Sequence, residues 1–573
     1  MKLKVCNFFL VLLSIFFIQL TAGWAAMEES DKIVITARDI EKMNVRTVPD
    51  LLNQIPGVNA GESSVSLRGS YMVKVILDGR TINDPTSGYR AVKWDMVSVN
   101  NIDKIEIYKG DGGVEFGDDS SGGVIYITTK RVKGSHGKFE TYGGNLATKN
   151  CNMNYHQEAA PFSVGLSAGF EKTDGYRTNG DKEKKRAGIK LGYMLDENYE
   201  FSLSGDYFKE DAGRAGLPDY PTPNARSEYE TVSTLFIAGN KSVKSKTYFT
   251  FVEKISNNPD KNLYTLLRTK TYGENITAKI PAGRWGEINS GVSFELGQLS
   301  GNKIDSKKEE KYGIFGIKDI KFDAMPVTLT LGLRGNFYSE FNEAINPEVK
   351  IKFEKDLYGI QLSANKTNNI PTFRQRYNET STTKPNPNLT MEKATNYSLS
   401  FFYQPVKSFS SNLSVFYNKI TDRIAYVRGD EGIGRYENFG KSSYKGADVS
   451  FSLKPADIFI VKPSYTYLIA KDDLTGKWLP CKPKHKVKID FICNPTKNFS
   501  LTLNTLYVSR QFSRSDNTET SPQYSTADFR AEYGFKMLSL FCRVKNIFDK
   551  SYYYVDGYPA PPRTWIAGVG CQF

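Results

Sequence analysis

From about Gly137 onward, apolar and polar residues alternate in runs of roughly ten, separated by polar turns. Such runs include "FSVGLSAGFEKT", "FSLSGDYFKE", "VTLTLGLRGNFY", "YSLSFFYQP" and "RTWIAGVGCQF". Between Val327 and Leu333, Val327, Leu329, Leu331 and Leu333 fall on one face and Thr328, Thr330 and Gly332 on the other. That period of two predicts strands. A sheet on a soluble core alternates in the same way, so a single run does not decide what its apolar face meets. The number of runs does more. At about 20 to 22 residues per strand plus turn, the interval 137–573 holds about 20 to 22 strands, within the size range of outer-membrane barrels. Closing the sheet pairs both edges and satisfies the backbone inside lipid. A barrel of that size encloses a lumen wide enough for a plug.

The segment ahead of the barrel has a different texture. "IVIT" (33–36) reads as a short strand, and Ile40, Met43, Val48, Leu51, Leu52 and Ile55 give the apolar positions of one or two short helices. Pro56-Gly57 ends that pattern. "SVSLRG", "MVKVILDGRTI", "IDKIEIYKG" and "GGVIYITT" follow as strand candidates, with Asp78-Gly79 as a hairpin pair. The expectation is a small mixed α/β domain over residues 26–133, seated in the lumen of an antiparallel transmembrane barrel over 137–573. Polar stretches "KEDAGRAGLPDYPTPNARSE", "ETSTTKPNPNLTMEK" and "SRSDNTETSPQY" are expected as external loops that first meet a ligand.

Residues 1–25 read as a cleaved export signal: Lys2 and Lys4, the apolar run "FFLVLLSIFFIQL", then Ala22, Gly23 and Ala25. After Ala25 no stretch of 18 continuous apolar residues occurs, which excludes a helical membrane protein. The formal net charge is +13, and +11 once Lys2 and Lys4 are removed. The excess is spread out, without a basic tail or stripe, so nucleic acid is not an expected partner. Five cysteines follow the signal (151, 481, 493, 542, 571), with no metal-ligand spacing. Cys481 and Cys493 are a candidate pair, against scattered free thiols. In the final strand Trp565, Ala567, Val569, Cys571 and the terminal Phe573 share a face, as do Leu540, Cys542 and Val544 before it. Cys542 and Cys571 are thus both expected toward lipid, at different heights and unbonded. Three histidines (136, 156, 485) are too few and scattered for a metal centre, and no nucleophile, base and carboxylate set assembles, so no enzyme is expected. "GDGGVEFG" lacks the lysine and hydroxyl ending of a phosphate loop.

The ordered blocks "LLNQIPGV", "VSLRG", "VILDGRTI", "IDKIEIYKG" and "GGVIYITT" resemble the plug domain of TonB-dependent outer-membrane receptors. "TYLIAKDDLTGKWLPCKPKHK", "VKNIFDKSYY" and terminal Phe573 resemble the family's late barrel blocks. The resemblance implies a 22-stranded barrel in the outer membrane of a Gram-negative-type bacterium, around an N-terminal plug. It further implies active import of a scarce chelate containing iron or cobalt, driven by a TonB-type periplasm-spanning coupler and its inner-membrane complex. The barrel is expected to be monomeric, with no permanently bound cofactor. Arg68, Glu106 and Lys109 match charged plug positions and are candidates for a latch to the barrel wall, with lysine at 109 where the family has arginine. Tyr71, Tyr89, Arg90 and Trp94 are candidates for ligand contact from plug loops.

The family's coupling box normally precedes the plug strand, whereas only "AMEES" lies between the predicted cleavage point and Asp31. Either Ile33, Val34, Ile35 and Thr36 serve as both contact segment and first strand, captured by β-augmentation, or coupling is altered or absent. Size and texture resemble the cobalamin-receptor branch. "NIPTFRQRYNETSTTKPNPNLTMEKATNYSLSF" resembles a segment of haem and cobalamin receptors but carries no haem-ligating histidine. A neutral corrin favours tyrosines, backbone groups and calcium-ordered external loops, whereas an anionic ferric siderophore favours a cluster of Arg and Lys. An uncoupled porin-like or surface-binding barrel is the alternative of another class.

Overall fold

The computed structural model describes residues 32–573 except 44, 131–133, 197, 284–285, 323, 380–382, 429–432 and 556. The export signal and the "AMEES" segment therefore lie outside the described residues. Twenty-two antiparallel strands, from His136–Gly144 to Thr564–Gln572, form a closed barrel. The first and last strands pair with each other, Phe139 opposite Cys571 and Gly144 opposite Ile566. Among the described residues no helix is long and apolar enough to cross a membrane.

The alternation sorts as a membrane barrel requires. Leu331 is 42% and Leu333 55% exposed on the outer face, whereas a side chain on Gly332 would meet Val114 of the plug. Many of the buried residues toward the lumen are polar, among them Ser204, Asn365, Thr367, Asn396 and Asp490. Turns at the end where the plug joins are short, as at 407–408 and 457–458, and connections at the other end include 370–391 and 509–523. Short turns mark the periplasmic end and long loops the external one. In the stretch 209–228, residues 214–225 form the expected external connection, with a small hairpin of Gly216–Leu217 and Tyr220–Pro221, while its two ends belong to strands Glu200–Gly213 and Arg226–Gly239. Arg226 links Asp181 at 2.9 Å and Asp211 at 2.8 Å at the base of this loop. Charged residues are stable in strands that rise beyond the lipid, so polarity placed the loop but not its exact ends.

The plug is a five-stranded mixed sheet in the order Ile33–Thr36, Ile102–Lys109, Gly123–Thr129, Val73–Leu77, Arg80–Thr81. Val73–Leu77 runs parallel to Gly123–Thr129, and Asp78-Gly79 turns it into Arg80–Thr81 with φ of 55° and 120°. Helix Val48–Leu52 is capped by Thr47, with Pro49 in its first turn. Its Leu51 and Leu52 are fully buried with Ile105, Ile125 and Ile127 in the plug core. No disulfide joins any two of the five described cysteines. The candidate 481–493 pair does not form, because Cys481 precedes the external start of strand His485–Thr496 and Cys493 lies near its periplasmic end. Cys542 is opposite Ala567 and Cys571 opposite Leu538.

Candidate functional site at the external mouth and the plug wall

The plug loop Asn83–Ala91 reaches the mouth and is shaped by its own polar residues. Asp84 accepts bonds from the Thr86 amide at 2.8 Å and hydroxyl at 2.6 Å, and Asn83 ties Val75, Val73 and Arg90 together. This presents Tyr89, which is 64% exposed. Arg90 points inward instead. Its guanidinium donates to Asp119 at 2.5 Å and to the Ile370 carbonyl at 2.6 Å, so it pins the plug apex to the external loop 370–391. Helix Phe373–Tyr377 in that loop has a capping box between Thr372 and Gln375, and Gln375 also donates to the Gly88 carbonyl at 3.2 Å. Trp94 is 2% exposed and packs in the plug core. The expectation that it touches ligand is corrected: its indole supplies apolar area to a small domain.

Tyr71 lies beneath Lys482, whose Nζ is 3.5 Å from the ring centroid. Burial pushes the Tyr71 phenol up to about 12 and the Lys482 ammonium down to about 7. Among the described residues the Lys482 Nζ has no hydrogen-bond partner. Lys484 lies over the rings of Tyr467 and Trp478 at 5.6 and 5.9 Å. Among the described residues no three His, Cys, Asp or Glu side chains converge in a way that could hold a metal ion.

Arg68 crosses from plug to wall. Its Nε donates to Asp448 at 3.2 Å and its Nη2 to the Ser414 hydroxyl at 2.6 Å, with the guanidinium over the Phe416 ring. Lys109 lies 3.7 Å from the same Asp448 and donates to the Pro56 carbonyl. Asp448 also accepts from Thr466 at 2.9 Å. Burial lowers the pKa of both plug cations, that of Lys109 to about 8. Glu106 does not join them. Its carboxylate bonds Lys32 and Lys104 at 2.8 Å each, within the plug, because its strand presents it beside the first strand rather than to the wall. Strand Ile33–Thr36 occupies the sheet edge, with Ile35 2% exposed.

Sequence reasoning missed Lys482 and Asp448. Lys482 sits in "PCKPKHK", where lysines on both sides hid the one that folds over an aromatic ring. Asp448 carried a signal, as a carboxylate in the lumen phase of a serine-rich strand region.

Comparison with known proteins resolves the class. A family model described as "TonB dependent receptor-like, beta-barrel" matches residues 122–547, and the TonB-dependent receptor plug domain matches 27–124. The chain belongs to the TonB-dependent receptor family. The receptor is 23% identical over 589 residues to the vitamin B12 transporter BtuB of Photobacterium profundum, covering 94% of this chain and 92% of that protein. It is 22% identical to the iron-regulated outer membrane virulence protein of Vibrio cholerae serotype O1, at 94% and 92% coverage. The siderophore receptor PirA from Acinetobacter baumannii has a similar fold, with TM-score 0.80 and 17% identity over 95% of this chain and 98% of that one. Membership places the receptor in the outer membrane and implies TonB coupling and transport of a small-molecule ligand. It is a class of receptors, not of enzymes.

Proposed function

We propose that the receptor imports a bulky metal chelate of the cobalamin type, captured at the mouth formed by Tyr89, Tyr71 and loop 370–391. The observation that carries this reading is the exposed Tyr89 held on a self-braced loop, together with similarity along nearly the whole chain to transporters named for vitamin B12. A flat aromatic surface suits a large ligand of low net charge. In this reading Arg68 and Lys109 latch the plug to Asp448, and the edge strand Ile33–Thr36 is what the TonB-type partner pairs with.

A ferric siderophore is the second reading, favoured by Lys482, whose shielded ammonium has no acceptor among the described residues. Uptake of labelled cobalamin and of several ferric siderophores, in cells with and without the inner-membrane energising complex, tests both. Energy-dependent uptake of cobalamin alone supports the first reading, and of a siderophore alone the second. Equal uptake in both backgrounds refutes active import. Lys482→Met separates them further: binding of an anionic chelate is expected to fall about tenfold or more, against little change for cobalamin.

A further inference from the structure

A cavity of about 1100 Å³ lies between the plug and one sector of the barrel wall, and it reaches the periplasmic turns at Asp457, Asn498 and Lys536. The sequence explains why the gap occurs there. On strands Glu392–Val406, Phe409–Arg428 and Gly434–Ala456 the lining residues include Ser398, Ser400, Ser410, Ser414, Ser450 and Ser452. Short hydroxyl side chains span little of the gap, and Ser414 meets the plug only because Arg68 reaches out to it. On the opposite wall long charged side chains bridge plug and barrel, as in Arg80 to Asp206 at 2.6 Å and Lys93 to Glu210 at 2.5 Å.

The cavity stops at Arg68, Lys109 and Asp448, all of which line it. Beyond the stop, the lumen side of these strands and of the next one, Phe459–Asp472, changes to an apolar group including Phe416, Ile420, Tyr444 and Leu468. Plug residue Gly69 is wedged against this group: a Cβ there would come 2.7 Å from Leu468 and 3.3 Å from Tyr444. Two residues on, Tyr71 meets Lys482 at the mouth. One sector of wall thus carries a mouth, an apolar stripe, an ionic closure and an open lower chamber.

The geometry points to a solute route along this serine-lined sector, closed by the Arg68, Lys109 and Asp448 cluster and the Gly69 turn. The plug stays folded and pinned to the opposite wall while the route is open. This rests on the family's transport role and on neither reading of the ligand. A chamber of about 1100 Å³ is at the upper end of small-molecule sites, so it admits a chelate of the size considered above. The wall mixes short hydroxyls with charged side chains of both signs, among them Lys462, Asp490, Lys497 and Glu532, so it offers a hydrated path with no excess of one sign to hold the solute. Asp448 is the shared acceptor for two buried cations, so its loss leaves both uncompensated and facing each other.

The test needs no ligand: the purified full chain is placed in planar bilayers in potassium chloride and its open time is recorded. Asp448→Asn is expected to raise open time about a hundredfold over the parent chain, the scale of breaking a buried ion pair. Glu210→Gln, which removes a plug contact on the opposite wall, is expected to stay closed. Equal opening by the two variants overturns the assignment of this sector. Silence of a folded Asp448→Asn barrel overturns the closure. Should that variant fail to fold, Arg68→Met, which leaves Asp448 and Lys109 as a neutral pair, is read with the same expected and overturning results.

Discussion

Asp50 lies in the first turn of helix Val48–Leu52 and is clamped by the wall, with Arg543 donating to it and Lys545 at 3.0 Å. Asp50→Asn keeps the shape and removes the charge. Arg543 is 7% exposed and Lys545 43%, so the Lys545 share is screened and the Arg543 share dominates. Arg543 keeps Asp528 at 4.0 Å, which puts the loss at the low end for a broken buried pair, about 3 kcal/mol or a factor of about 10² in the local opening equilibrium. The assay is hydrogen exchange at the amides of Leu51 and Asn53, which bond Thr47 and Pro49. Acceleration below about threefold refutes the reasoning, since it leaves the clamp worth less than an exposed pair. The acid dependence gives a second check. Burial alone raises the Asp50 pKa, but attraction to Arg543 and Lys545 overrides it and holds the carboxyl well below 3.8. Its contribution is therefore complete above that value and is lost as pH falls through the depressed one. The wild-type helix loses protection over that acid range, and the variant lacks this step.

Lys109, lowered by burial from 10.5 to about 8, gives a slope of the same sign in the alkaline range, here because burial works against the folded state. Between those values the unfolded chain holds a proton the folded one lacks, so plug stability rises with pH there, and Lys109→Met is expected to flatten the rise in thermal melts. Gly123→Ala is expected to destabilise the plug severely, because φ is +127° and the new Cβ would overlap the Tyr108 carbonyl oxygen; loss of plug protection in limited proteolysis reads it. Tyr89→Ala, at an exposed position, is expected to weaken ligand affinity about tenfold with an unchanged melting temperature, as measured by calorimetry.

The barrel was legible because lipid on one side and a polar lumen on the other impose a strict period of two. Leu331 and Gly332 went to the faces that their alternation assigned. The plug strands were legible from their apolar runs and from turns such as Asp78-Gly79. Side-chain direction at the site was less so. Tyr89 and Arg90 are neighbours, yet one faces the mouth and the other is buried in an ion pair with Asp119, which lies distant in sequence. Trp94 shows the same limit, since an aromatic in a loop and an aromatic closing a small core look alike without the fold. The partner of Arg68 lies 380 residues away, and no local pattern names it.

The dependence of two plug cations on Asp448 also bears on the work done in each import cycle. Freeing the plug from that one carboxylate requires on the order of 3–5 kcal/mol, whereas unfolding a whole domain requires about 5–15. An elementary charge crossing 100 mV releases about 2.3 kcal/mol. A receptor opened at Asp448 alone therefore needs the energy of about one or two elementary charges crossing 100 mV per molecule delivered, against about two to seven for unfolding the entire plug.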